Sequence, residues 1–261
     1  MRPIISIAST TLGEAIRRKV LLIILLIGIL FLVIAPGLGV LSARSETTVL
    51  RGMLLGVIQL TSAVIAVVLT VYMIPNEIER RTIYTILSKP VQRWQFLVGK
   101  YLGAVLSLGL MMVLMTTVMA FTFYLQQRDF TAVPELVKAP VMYFVQMSLL
   151  AALAVFFSTF VAPLVNFFLS GGMYILGSLF NPFFQTLDQS PTTPLGAKIA
   201  AKLVNVILPN FANYNVQNPI INPGQSIANE GAYYFQVSVY GLFYIGILLV
   251  GGILVFDRRE V

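Results

Sequence analysis

Neither cysteine nor histidine occurs among the 261 residues, and only 10% of them are charged. Without Cys or His there is no disulfide scaffold, no Cys/His zinc site, no haem ligation through either residue, and no Ser–His or Cys–His catalysis. The shortage of charge excludes more. A soluble domain is typically about 25% charged and about 45–50% apolar. This chain is 58% hydrophobic and cannot cover a water-facing surface. Disorder is excluded on the same ground, since it needs low hydrophobicity and high charge. A net charge of +7 would suit nucleic acid in a more polar chain. Here it is read as membrane orientation, and no nucleic-acid partner is expected.

What is present is a series of charge-free apolar runs. A hydrocarbon core of about 30 Å needs about 20 helical residues at about 1.5 Å each. The runs at 20–41, 52–75, 101–125 and 232–256 meet that length. Between Ala139 and Phe184 no charge occurs, and as one helix this stretch would be over twice the core thickness. Ala162-Pro163 offers a turn, because Pro breaks the helical ladder and pushes its predecessor extended. Two spans result, at 139–160 and 164–184. The expected fold is an all-α integral membrane protein, a single transmembrane domain over 1–261 with six transmembrane helices. The first run is too long for a signal-peptide core of about 7–15 residues and lacks a clear small-x-small cleavage site after it, so Arg17-Arg18 reads as a basic anchor.

Lys and Arg set the orientation. One side would hold Arg2, Arg17, Arg18, Lys19, Arg80, Arg81, Lys89, Arg93, Lys100, Arg258 and Arg259. The other would hold Arg44, Arg51, Arg128, Lys138, Lys198 and Lys202, spread over longer loops. Both termini are therefore expected in the cytosol of a multi-pass plasma (inner) membrane protein.

Three segments between the spans carry pattern. Ile4, Ile5, Ala8, Leu12, Ala15 and Ile16 recur at helical spacing before the first span, predicting an amphipathic interfacial helix. The segment 76–99 reads as two helical turns about a break at Lys89-Pro90: Asn76 can cap the first with Glu79 as reciprocal partner, and the second restarts near Val91. It forms an elbow on the cytosolic face; an ordinary loop with snorkelling basic residues is the alternative. The outer loop, 185–231, contains Leu195, Ile199, Leu203 and Val206 on one helical face and Lys198, Lys202 and Asn205 on the other. Such a helix rests on the outer leaflet or caps the bundle, as a gate or as a strut. Glycine pairs at 52/56 and 99/103, with Gly171, Gly172 and Gly177, would let helices approach closely, though such spacings also arise by chance.

All six apolar cores lack Asp, Glu, Lys and Arg, which leaves a proton relay or an intramembrane metalloprotease nothing to work with. Lys100 sits near an interface, where lysines snorkel. It belongs to the chain's one Gly-Lys pair, Gly99-Lys100, which is followed by Tyr101 and lacks the preceding glycine of a phosphate loop. No catalytic, cofactor or metal site is expected.

The run Glu77-Ile78-Glu79-Arg80-Arg81-Thr82-Ile83, then Leu87-Ser88-Lys89-Pro90-Val91, Arg93, and Phe96-Leu97-Val98-Gly99-Lys100-Tyr101-Leu102-Gly103 resembles the cytosolic signature of ABC transporter permeases of the type-2 exporter class. Thr11, Glu14, Arg17 and Lys19, and the C-terminal Phe256-Asp257-Arg258-Arg259-Glu260, resemble that class too. Arg81 stands where many relatives carry Gly. The resemblance implies two permease copies, or one copy and a homologue, over two cytosolic ATPase subunits, which would hold ATP and magnesium. It makes the elbow a coupling helix, with Glu77, Glu79, Arg80, Arg81, Thr82, Leu87, Ser88, Lys89, Pro90 and Arg93 as ATPase-coupling candidates. Leu195, Lys198, Ile199, Lys202 and Leu203 are the candidates for an outer gate. The competing readings are an ATP-independent transporter or channel and a non-transporting membrane scaffold.

Overall fold

A computed structural model describes residues 2–39, 46–79, 91–128, 130, 132–189, 194–215 and 229–258. Among them all regular structure is helical, with no strand. The helices are α1 (Arg2–Arg17), α2 (Lys19–Gly39), α3 (Glu46–Val71), α4 (Met73–Glu79), α5 (Arg93–Gln127), α6 (Val133–Ser158), α7 (Pro163–Gln189), α8 (Leu195–Ile207) and α9 (Glu230–Arg258), with a 3-10 turn at Phe211–Tyr214.

Five of these are long and apolar enough to cross a membrane: α2, the unit formed by α3 and α4, α5, α6 and α9. The expected span at 164–184 falls in α7, whose described apolar stretch is shorter, Pro163–Leu179. The break before it follows from the sequence. α6 ends at Ser158, and α7 opens on Pro163, where a missing N–H costs nothing. Asn166 then ties the two helices, donating from Nδ2 to the Ala154 carbonyl at 2.9 Å.

Proline also explains the junction between α3 and α4. Pro75 has no N–H for the Val71 carbonyl, and its ring crowds that carbonyl. The helix breaks at Tyr72 and resumes at Met73. Asn76 therefore does not cap a helix as expected; it lies inside α4, its N–H donating to Tyr72 O at 3.1 Å.

α3 and α6 form the centre of the bundle, with 67% and 72% of their most apolar windows buried, against 28% for α2 and 22% for α9. α2 and α9 instead turn residues such as Ile23, Leu26, Phe31, Leu242, Phe243 and Leu254 outward, as lipid-facing helices do. Cross-contacts define two ends. At the elbow end, α5 begins beside the last turn of α9, where Phe96 stacks on Phe256. At the loop end, Thr47 of α3 meets Gln127 of α5, and Lys138 of α6 pairs with Glu230 of α9.

α1 is a separate helix, divided from α2 at Arg18. It docks on the first turns of α5, and the glycine pair at 99/103 makes this possible. A Cβ at Gly99 would lie 2.9 Å from Ile7 Cβ, and one at Gly103 would lie 2.5 Å from Thr11 Cβ and 2.7 Å from the Ala8 carbonyl. The other glycine patterns have different outcomes. Gly56, Gly171 and Gly172 face nothing within 4 Å among the described residues, so no close approach uses them.

Candidate functional site

At the elbow end the described residues bring several charged groups together. Arg93, the first residue of α5, follows a helix start at which Gln95 Oε1 accepts from the Gln92 N–H at 3.2 Å. Its guanidinium donates to the Phe256 carbonyl at 2.9 Å and the Asp257 carbonyl at 3.3 Å, and lies 5.8 Å from the Phe256 ring centre. A cation thus closes the C-terminal turn of α9, where carbonyls lack helical partners. Two turns further along α5, Lys100 is buried at 4% exposure. Its ammonium donates to Glu77 of α4 at 2.5 Å and lies 3.7 Å from Glu14 of α1. It is not a snorkelling lysine, as its position had suggested, but the meeting point of three helices.

The expected coupling residues divide accordingly. Glu77 turns inward to Lys100, Glu79 ends α4 and is exposed, and Arg93 is held against α9. Arg80, Arg81, Thr82, Leu87, Ser88, Lys89 and Pro90 lie outside the described residues. Glu14 and Lys100 were missed as a site. The signal that could have found them is the glycine pair flanking Lys100, which lets another helix pack closely against α5 and cover the lysine.

At the loop end, α8 is the amphipathic helix expected, but its apolar face does not turn into the chain. Leu195, Ile199 and Leu203 are 75%, 53% and 57% exposed; Lys198 is half-buried and Lys202 exposed. What enters the bundle is the next segment, Pro209–Asn215. Asn210 starts its 3-10 turn by accepting from the Ala212 N–H at 3.1 Å. Phe211 and Tyr214 are fully enclosed. The Phe211 carbonyl accepts from Gln146 Nε2 at 2.8 Å, and Gln146 Oε1 accepts from Gln59 Nε2 at 3.2 Å. Tyr143 donates to Asn215 Oδ1 at 2.8 Å, Tyr214 to the Val237 carbonyl at 3.2 Å, and Tyr233 to the Asn213 carbonyl at 2.9 Å. Burial pushes the Tyr214 hydroxyl above the usual tyrosine range, so it remains a neutral donor.

Two glycines admit this segment. A Cβ at Gly177 would sit 2.5 Å from the Pro209 carbonyl, and one at Gly241 would sit 2.5 Å from the Tyr214 hydroxyl. Gln146 lies about 20 Å along α6 from Val133, at about 1.5 Å per residue. Irregular backbone therefore reaches deep among helices, which a membrane tolerates only where protein encloses it and side chains satisfy its polar groups. Gln59 and Gln146, amides in the middle of apolar runs, were the sequence signal for this cluster.

The profile of the ABC-2 family transporter proteins matches residues 5–261, nearly the whole chain. The chain belongs to the ABC-2 transporter family. It is accordingly a multi-pass membrane protein and a permease subunit of an ABC transporter, not itself the ATPase; the family associates with ABC ATPase subunits generally. No curated protein matches the chain.

Proposed function

We propose that this ABC-2 permease is the membrane subunit of an ATP-driven exporter, coupled through the elbow at 76–93 to separate cytosolic ATPase subunits. A second copy or a close homologue completes the translocation pathway. Both termini face the cytosol, and the complex resides in the plasma (inner) membrane. ATP and magnesium belong to the partner. Export is the direction of the class that the chain resembles.

The observation that best supports the coupling is the way both limbs of the elbow are held. Glu77 on the outgoing limb and Lys100 on the returning one meet at 2.5 Å, while Arg93 binds the last carbonyls of α9. A short segment fixed on both sides passes a push into helix tilting, shifting the population between inward-closed and outward-open arrangements. Glu79, Arg80, Arg81, Thr82, Leu87, Ser88, Lys89 and Pro90 remain the docking candidates. Glu77 and Arg93 hold the elbow from within.

At the other end, the outer loop acts as the gate. Pro209–Asn215 is its closing element. α8 lies along the outer leaflet with Leu195, Ile199 and Leu203 in lipid and Lys198 and Lys202 near the headgroups.

Reversing both Arg80 and Arg81 to Glu tests the docking surface. The purified chain is expected to melt unchanged while the ATPase no longer co-purifies with it. An undiminished complex would overturn the assignment, and ATP-independent conformational cycling by the chain alone would replace it with the secondary-transporter reading.

A further inference from the structure

We infer that Lys100 is the positioning centre of the elbow, clamping its two limbs to each other and to α1 so that α1, the α3–α4 unit and α5 move as one body. The inference rests on the reading that the elbow couples to an ATPase, and it names the residues through which that coupling passes.

The geometry carries it. Glu77 lies on the helix before the elbow's undescribed stretch and Lys100 on the helix after it, and these two residues meet. Lys100 is only 4% exposed, and the Glu77 side chain 14%. A buried ammonium is tolerated only with its counter-charges in place, so the pair opens only at high cost. Glu14, its side chain 54% exposed, adds a weaker second carboxylate, 3.7 Å away, from the helix that Gly99 and Gly103 already seat on α5.

Neighbouring contacts extend the same joint. Gly99 and Gly103, on either side of Lys100, seat α1 on α5 in register. Tyr101 donates its hydroxyl to the Ser148 carbonyl at 3.1 Å, joining this level of α5 to the central α6. The ion pair at the opposite end, Lys138 with Glu230, has both side chains 45% exposed, where such pairs contribute little. Among the ion pairs of the described residues, Lys100 with Glu77 is the one enclosed on both sides, as a fixed joint must be.

The chain's lack of cysteine makes the test direct. Nitroxides on cysteines placed at Ser9 and Tyr72, both exposed, report the distance from α1 to the α3–α4 junction in the complex with its ATPase. A third label at Thr47 reports the loop end. In the native sequence the Ser9–Tyr72 distribution is expected to stay narrow with and without ATP and vanadate, while the Thr47 label changes its exposure to a water-soluble quencher. In Lys100→Met the complex is expected to assemble and hydrolyse ATP, the Ser9–Tyr72 distribution to at least double in width, and the ATP-driven change at Thr47 to fall at least fivefold. Glu77→Gln is expected to follow Lys100→Met, Glu14→Gln to show a smaller effect, and Lys100→Arg to preserve the native response.

Native-like distances and a native-like Thr47 change in Lys100→Met would overturn the inference. If Lys100→Met does not fold, Glu77→Gln and Lys100→Arg decide on the same measurements. A native chain that binds no ATPase, or in which ATP moves nothing at Thr47, would instead refute the coupling reading beneath it.

Discussion

Gln146 shows how much one side chain can organise in an apolar bundle. Its amide donates to a loop carbonyl on one side and accepts from Gln59 on the other. Truncation to an apolar residue leaves the Phe211 carbonyl without that partner in a place water does not readily reach. Gln146→Leu is expected to destabilise the purified protein by about 1–2 kcal/mol, an interhelical hydrogen bond in a membrane averaging about 0.6 kcal/mol and an orphaned buried acceptor adding to it. Adding Gln59→Leu should cost less than its separate effect, because the partners form one network. Thermal unfolding in detergent, followed through the single tryptophan, Trp94, measures both. The glycines give a sharper contrast. Gly103→Ala forces a Cβ to within 2.5 Å of Thr11 and is expected to cost about 1–3 kcal/mol. Gly171→Ala meets only open space and is expected to be neutral or stabilising by up to about 1 kcal/mol, since alanine is the better helix former. Equal effects at the two sites would contradict the docking of α1.

Among the elements, those governed by local rules were legible. Apolar length marked the long helices, Pro163 marked the break between α6 and α7, and three- and four-residue spacing marked α1 and α8. The misreadings have two causes. Asn76 has the chemistry of a cap, but its neighbour Pro75 breaks the helix earlier, at Tyr72; for the others, a distant part of the chain decides the outcome. Lys100 lies where a lysine would ordinarily reach water, but α1 covers it. Pro209–Asn215 has no periodicity, and its principal partners, Tyr143 and Gln146, lie 72 and 65 residues away in the chain. For α8 the pattern was plain, and the structure adds that its apolar face points away from the bundle. Moving the tryptophan to that face, as Trp94→Phe with Ile199→Trp, is expected to produce strong fluorescence quenching by lipids brominated near the headgroup. Quenching no greater than that of the free amino acid would remove α8 from the membrane surface.

For the molecule as a whole, the described polar connections differ between its ends. At the elbow end a buried ion pair, Lys100 with Glu77, joins α4 to α5. Toward the loop end, besides the exposed Lys138–Glu230 pair, neutral hydrogen bonds hold Pro209–Asn215 among the helices. A bifunctional methanethiosulfonate bridging Asn213→Cys and Tyr233→Cys, which replaces the reach of the Tyr233 side chain whose hydroxyl donates to the Asn213 carbonyl, should lock that segment in place. In the complex, cross-linking is expected to slow ATP turnover at least fivefold, with reductant restoring it; unchanged turnover after complete cross-linking would show that the segment need not move.

The depth of Phe211 has one more consequence. Below its contact with Gln146, α6 continues only to Ser158, about 18 Å of helix at 1.5 Å per residue, against a hydrocarbon layer of about 30 Å. Over the rest of that thickness the chain relies on an irregular stretch whose polar groups are served by side chains, so withdrawing it would strand Tyr143, Gln146 and Tyr233 without these acceptors inside an apolar layer.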